Sequence, residues 1–463
     1  MTRLKNPDLI PLLPKQFCQR IEQDWPHTAA EGLLRSLNEH SPISIRLHKR
    51  KSSASFEKEK MIPWTVLGRY LRERPSFTLD PLFHAGAYYP QEAGSMFVEW
   101  IVNQLTLPEE PILLDLCAAP GGKSTILLDF LQGNGILVSN EIIRSRSYIL
   151  RDNISKWGYS NCIVTNNAVE DFEQFGSTFD CILVDVPCSG EGMFRKDPNA
   201  RTEWSVDNVR SCEVRQQNIL SHCADLVKDG GYIIYSTCTF NRAENELQLL
   251  DFMEHNSFEA VQLEVDESWG LTKDTLGFGF YALPANMQTE GFYFAVLRKA
   301  DCTTHESFKK KVKSKKKKSR EIIMETFIQL PSPHFEAYDQ LEKNEFIFAF
   351  PSAQSFLAKE FLNNLTIVKW GVRLGTRMKN KLVPDHELAM NIGLNEGFPR
   401  VKLSKIDALR YLKGETFSID APQGWVIVTH NELPLGWIKS MGNRFNNYYP
   451  KELRIRMELP DSI

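Results

Sequence analysis

The chain has 463 residues, 42% hydrophobic and 24% charged, so its length predicts several domains and excludes a single small core. No window approaches the roughly 18 consecutive apolar residues of a bilayer span, and the opening MTRLKNPDLIPLLPKQF lacks a secretory signal pattern; a membrane protein is excluded and a cytoplasmic one expected. The formal charge is only −3, yet nine of the twelve residues from Lys309 to Arg320 are basic, which leaves the rest of the chain acidic.

Residues 1–75 read as a small α+β module that binds RNA. Phe17, Ile21 and Trp25 recur at helical spacing, and SPISIRLHKRK alternates apolar with basic side chains like a strand. Arg46, Lys49, Arg50 and Lys51 are candidate phosphate contacts there. Residues 76–300 read as an α/β domain with a Rossmann-like sheet. His84 is expected to be structural, and Tyr88 and Tyr89 either line a base pocket or pack a core. The short apolar runs PILLDLC, GILVSNE, NCIVTNN, FDCILVDVP and GGYIIYSTC alternate with helical stretches, the pattern of a parallel sheet covered on both faces. GFYFAVLRK, with aromatics at alternate positions, suits a closing antiparallel strand.

The run KKKVKSKKKKSR cannot pack a core, so residues 301–324 read as a basic linker. Residues 325–463 form a smaller α+β region in which Arg373, Arg377, Lys379 and Lys381 offer positive charge and Tyr448 and Tyr449 offer stacking surfaces for RNA.

The strongest local signal is LLDLCAAPGGKST at residues 113–125, an apolar strand, a Gly-Gly turn and a helix start. Glycines let a backbone approach a ligand, free amides at a helix start favour a polar group, and the carboxyl end of a parallel strand is where such sheets bind ligands. A tight turn without a ligand is the alternative. Glu141, about twenty residues on at the end of the next strand, is placed to hold ribose hydroxyls. With neither GxGxxG nor GxxxxGK[ST] present, S-adenosylmethionine is a better candidate than a nicotinamide or a nucleoside triphosphate.

Two further segments carry thiols. LVDVPCSGEGMF places Asp185 and Cys188 after the fourth strand, with Arg195 and Lys196 flanking the loop as candidate phosphate contacts; YSTCTF places Cys238 after the fifth. The nine cysteines show no CxxC spacing, so reduced thiols and no metal site are expected. These two thiols either face one crevice or are inert buried residues. Beside a methyl donor, a thiolate that adds to carbon 6 of cytosine makes carbon 5 nucleophilic, and a second can remove the carbon-5 proton before the first is expelled. Asp185 is placed to hold the pyrimidine edge.

At HAGAYYPQEAGSM (84–96), DLCAAPGGKST (115–125), DVPCSGEGMFRKDP (185–198) and STCTFNRAENE (236–246) the chain resembles the Nop/Sun family of RNA (cytosine-5) methyltransferases over roughly residues 40 to 300. The resemblance implies that Cys238 is the nucleophile and that Cys188 assists its release. It also implies that Cys117, Ala118, Ala119, Pro120, Gly121, Gly122, Lys123, Glu141 and Asp185 bind S-adenosylmethionine. A position often acidic in relatives, near the adenine, is Asn167 here, whose amide can still bond a base edge. WGVRLGTRMKNKLVPDHELAMN and PLGWIKSMGNRFNNYYPKELR resemble the C-terminal region of the bacterial branch that modifies small-subunit (16S) ribosomal RNA, which implies a PUA-like RNA-binding domain. The expected partner is RNA, either small-subunit ribosomal RNA or the subunit particle, bound by a monomer. A transfer RNA (cytosine-5) methyltransferase is the nearest alternative. A non-catalytic ribosome assembly factor would have lost a thiol or the glycine loop, and this chain keeps both.

Overall fold

The computed structural model describes residues 11–51, 54–301, 328–378 and 381–459; the run Lys309–Arg320 and Lys379 lie outside them. At its centre are five parallel strands, Ile112–Asp115, Ile136–Asn140, Cys162–Thr165, Phe179–Asp185 and Val227–Thr237, in the spatial order third, second, first, fourth, fifth. Every residue of the second and third is buried. Alternate side chains serve opposite faces: Leu114, Val138 and Ile182 join one apolar cluster, Leu113, Leu137 and Leu183 the other. Phe292–Lys299 pairs antiparallel with the fifth strand, as its alternation predicts, and Gly279–Ala282 and Thr272–Lys273 follow outward. The chain leaves the first strand toward the second on one side and reaches the fourth on the other. The loops after the first and fourth strands therefore diverge, and a crevice opens at their carboxyl ends.

The covering helices have legible causes. Val206–Leu226 starts at Ser205, whose hydroxyl accepts from Asn208 N, and buries Val209, Cys212, Gln216, Ile219, Leu220 and Cys223 at three- and four-residue spacing. No helix among the described residues is long and apolar enough to cross a membrane.

The N-terminal part packs two helices, Lys15–Asp24 and His27–Ser36, against the cluster that holds Leu114, with Phe17 edge-on to Phe194 at 5.0 Å. Its sheet pairs Ile43–Leu47 with both Gly68–Leu71 and Tyr88–Pro90. The basic residues of this strand do not all face solvent. Arg46 is fully buried, donating to Asp129 Oδ2 and to Thr125 Oγ1 at 2.6 Å and lying 4.8 Å from the Trp157 ring. Lys51 is buried too, with its ammonium on the carbonyls of Ala85 and Lys156, and burial together with the Lys156 charge lowers its pKa to about 7. The expectation of phosphate contacts is corrected for these two residues, because each already has protein partners inside the fold; Lys49 and Arg50 are exposed.

Past residue 328 the chain builds two four-stranded sheets, one from Tyr338–Lys343, Phe346–Pro351, Val372–Met378 and Lys381–Pro384, the other from Arg400–Lys402, Gly424–His430, Leu433–Ser440 and Phe445–Asn447. Between the second and third strands of the first of these in the chain, Ile367–Trp370 pairs antiparallel with Cys162–Thr165 and extends the central sheet, a pairing no sequence pattern announces. Arg373 and Arg377 pair with Asp385 and with both carboxylate oxygens of Glu342 while staying partly exposed, and one further reading is corrected. Tyr449 is buried against Tyr411 and His386, while Tyr448 stays partly exposed, edge-on to Trp425.

Candidate active site

The first strand ends at Asp115, and the loop after it enters the helix Gly122–Leu131 through Gly121 at φ +111°, a conformation that L side chains rarely adopt. Any Cβ there would also fall 3.1 Å from Leu150. Ser124 Oγ donates to Asp115 Oδ2 at 2.6 Å; Oδ1 is buried with no hydrogen-bond partner among the described residues. Burial pushes the Asp115 pKa up to about 7, against the Ser124 hydrogen bond and with help from the nearby Asp185 charge. Sequence reasoning passed over Asp115, although an acid closing the buried run LLD was a usable signal.

The fourth and fifth strands are neighbours, so the loops that follow them meet. Asp185 Oδ1 accepts from Ser236 Oγ at 2.8 Å and Oδ2 from Lys123 Nζ at 2.8 Å, joining all three strand ends. Burial acts to lower the Lys123 pKa, but the Asp185 charge and hydrogen bond more than offset it, so the ammonium is held charged, with the Cys238 thiol among the groups that favour it. Cys188 Sγ and Cys238 Sγ are 3.1 Å apart, and the Cys238 backbone N–H donates to Cys188 Sγ at 3.3 Å. The hydrogen bond with Cys238, and then burial, raise the Cys188 pKa well above an ordinary thiol's. Gly192 N donates to the Cys238 carbonyl at 2.8 Å, and a Cβ on Gly192 would lie 2.9 Å from that oxygen, so the close approach of the two loops requires glycine.

These groups surround a cavity of about 340 Å3. Of the residues named from the sequence, Cys117, Ala118, Ala119, Pro120, Gly122, Lys123, Asp185 and Cys238 line it, and Cys188 touches Cys238 from behind. Its far wall comprises Tyr89, Gln91, Glu92, Met193, Lys196 and Glu290–Phe292, of which the two acids were not anticipated. Tyr89 hydrogen-bonds the Pro120 carbonyl at 3.3 Å, whereas Tyr88 turns into the core and donates to Asp80. His84 is held at the Thr78 carbonyl by Nε2.

Glu141 and Asn167 stand apart from this lining. Glu141 Oε1 accepts from Ile143 N, and Oε2 lies 3.4 Å from Arg146, which itself donates to the Ala119 carbonyl. The Asn167 amide donates to Asp171 and accepts from Thr366 N at 2.9 Å. Arg195 corrects the expectation of a phosphate contact: it is buried, donating to Glu290 Oε2 at 2.8 Å and to the Thr289 carbonyl, so its charge is neutralised across the loop. Among the described residues no group of three or more His, Cys, Asp or Glu is placed to hold a metal ion.

Comparison with known proteins agrees with this architecture. A family described as 16S rRNA methyltransferase RsmB/F matches residues 102–298, the N-terminal domain of 16S rRNA methyltransferase RsmF matches residues 13–93, and the methyltransferase RsmF PUA domain matches residues 398–455. The ribosomal RNA small subunit methyltransferase F of Aliivibrio salmonicida is 30% identical over 475 residues, covering 95% of this chain and 97% of the relative. Its counterpart in Shewanella sp. (strain ANA-3) is 29% identical over 480 residues with the same coverage. A crystal structure of a methyltransferase homolog protein from Pyrococcus horikoshii superposes with a TM-score of 0.54 at 26% identity, covering 62% of this chain and 95% of that one. With a relative aligned nearly end to end and all three regions matched in order, the chain belongs to the RsmB/F family of 16S rRNA methyltransferases.

Proposed function

We propose that the protein methylates carbon 5 of a cytosine in 16S ribosomal RNA, with S-adenosylmethionine as donor and Cys238 as covalent nucleophile. The observation that carries this reading is the pair of thiols 3.1 Å apart at adjoining strand ends, beside a charged Lys123. The cavity fits the donor. Asp115 Oδ1, buried and without a hydrogen-bond partner among the described residues, would take its ammonium group, Cys117–Pro120 and Gly122 would hold the part inside the cavity, and Glu141, outside that lining, would hold the ribose. When bound, the donor supplies an electrophilic methyl group on a sulfonium.

Each protein group then has a defined task. The Cys238 thiolate forms a bond to carbon 6, and the carbon 5–carbon 6 π pair moves to carbon 5 and into the ring. Lys123, in the first turn of the helix after the first strand, would offer its ammonium to the electron-rich ring, and Asp185 would accept from the amino group at the ring edge. After methyl transfer, Cys188 removes the carbon-5 proton; that electron pair re-forms the double bond and expels Cys238 as thiolate. The high pKa of Cys188 suits this order. A high pKa makes its thiolate a strong base for the carbon-5 proton once its own proton has passed to solvent; the first cause of the shift is the hydrogen bond with Cys238 and burial is the second.

The test separates the thiols. Cys238→Ala should form no adduct and transfer no methyl group. Cys188→Ala should attack, methylate and stall as a protein–RNA complex that survives denaturing electrophoresis. Reversed behaviour of the two variants would overturn the assignment.

A further inference from the structure

Outside the reacting groups, two buried carboxylates join the loops of both thiols: Glu191, in the Cys188 loop, accepts from Phe240 N at 3.1 Å, and Glu244 bonds to the residue after each thiol. Glu244 lies in the turn Arg242–Glu244 beyond the fifth strand and is fully buried. Its Oε1 accepts from Ser189 Oγ at 2.5 Å and from Thr239 Oγ1 at 3.3 Å; its Oε2 accepts from Ser189 N at 2.8 Å and from Gln216 Nε2 at 3.1 Å. Ser189 directly follows Cys188, and Thr239 directly follows Cys238. The two hydroxyls also meet each other at 3.0 Å, and Gln216 Nε2 donates on to the Pro187 carbonyl at 3.0 Å. The backbone of Glu244 is fixed as well, since Tyr235 OH donates to its main-chain carbonyl at 2.6 Å.

We infer that Glu244 is a positioning residue that sets the separation of Cys188 and Cys238, and that it governs the covalent steps while leaving RNA and donor binding alone. The inference rests on the cytosine-5 reading above. Four donors converge on one carboxylate that is not itself in the cavity lining, so its removal takes away the clamp between Ser189 and Thr239 while the Gly192 N–Cys238 carbonyl bond still ties the loops and the donor-side wall, residues 115–123, is untouched. A buried carboxylate with four donors is also a costly choice for a plain scaffold, because its desolvation must be matched by every partner.

The experiment uses the full chain with Glu244→Gln and Glu244→Ala, each checked by thermal melting. Thr239→Val, which removes one donor at nearly constant volume, stands in if the alanine variant does not fold. The expected result is a kcat lowered about tenfold in the glutamine variant and on the order of a hundredfold in the alanine variant, the scale of an ångström-sized misplacement, with both KM values within about twofold. A second readout needs no turnover. Diamide takes two electrons and two protons from a pair of thiols and is reduced to the hydrazine, so the rate of Cys188–Cys238 disulfide formation, mapped by mass spectrometry, reports their approach. That rate should fall in the same order as kcat. Wild-type kcat in the folded variants, or lost kcat with an unchanged disulfide rate, would overturn the inference. Cys238→Ala is assayed alongside: if it still methylates, the cytosine-5 reading itself fails, whereas an inactive Cys238→Ala beside fully active Glu244 variants removes only the role of Glu244.

Discussion

The thiol end of the central sheet and the basic strand of the N-terminal part were both conspicuous in the sequence, and the fold treats them in opposite ways. Cys188, Cys238, Asp185 and Lys123 come together where their strand ends predict. Arg46 and Lys51, in a segment that looks like a phosphate-binding stripe, are instead drawn inside by Asp129 and by two backbone carbonyls. A group at the carboxyl end of a parallel strand is located by topology, which short apolar runs reveal. A charge on an inner strand of a small sheet is located by whichever distant residue neutralises it, and Arg46 lies 83 positions from its carboxylate.

The largest effect that sharpens this contrast is Arg46→Ala. With Arg46 gone, Asp129 keeps its Trp157 hydrogen bond but is left buried without its cation, and breaking such a pair costs about 3–5 kcal/mol, measurable by denaturant unfolding. A variant of unchanged stability that binds RNA poorly would restore Arg46 to the surface and break the comparison.

Next comes Asp115→Asn at the other region. Losing a charge-assisted hydrogen bond of about 1.5–3 kcal/mol should weaken S-adenosylmethionine binding about ten- to a hundredfold by calorimetry. The sign with pH follows from the raised pKa. Asp115 is largely protonated below about 7 and takes a cation only when ionised, so wild-type affinity should rise with pH through that value and then level off. Binding below it should release a proton, and the asparagine variant should lose this slope. A slope that persists in the variant would put the ammonium group elsewhere.

The smallest effect belongs to Lys49→Ala, three residues from Arg46 but exposed. Its stability should stay within about 0.5 kcal/mol of wild type, while the slope of log affinity for RNA against log salt should flatten by roughly 0.7–0.9 if one phosphate contact is lost. An unchanged slope would leave Lys49 with no part in RNA binding.

The five parallel strands, the closing antiparallel strand and the meeting of the thiol loops were readable because they depend on local periodicity and on one topological rule. Asp115 was readable in principle and missed. The burial of Arg195 against Glu290, the bonding of Asn167 to Thr366 and the convergence of four donors on Glu244 were not readable, since each joins segments that only the finished fold brings near. Tyr88 and Tyr89 show the limit most directly: adjacent on one strand, they alternate between core and cavity wall, and only the register decides which is which.

The strand Ile367–Trp370 has a consequence for how the chain is made. Until it is synthesised, Cys162–Thr165 presents an unpaired edge of main-chain donors and acceptors, and its partner follows roughly 200 residues later, on the far side of the lysine run. During translation the catalytic sheet is therefore an open template for about that interval, and a polypeptide released early, at the lysine run, would keep it open. Such a fragment should contain every reacting group and yet accumulate as aggregate, and supplying residues 328–459 in trans should recover it into solution.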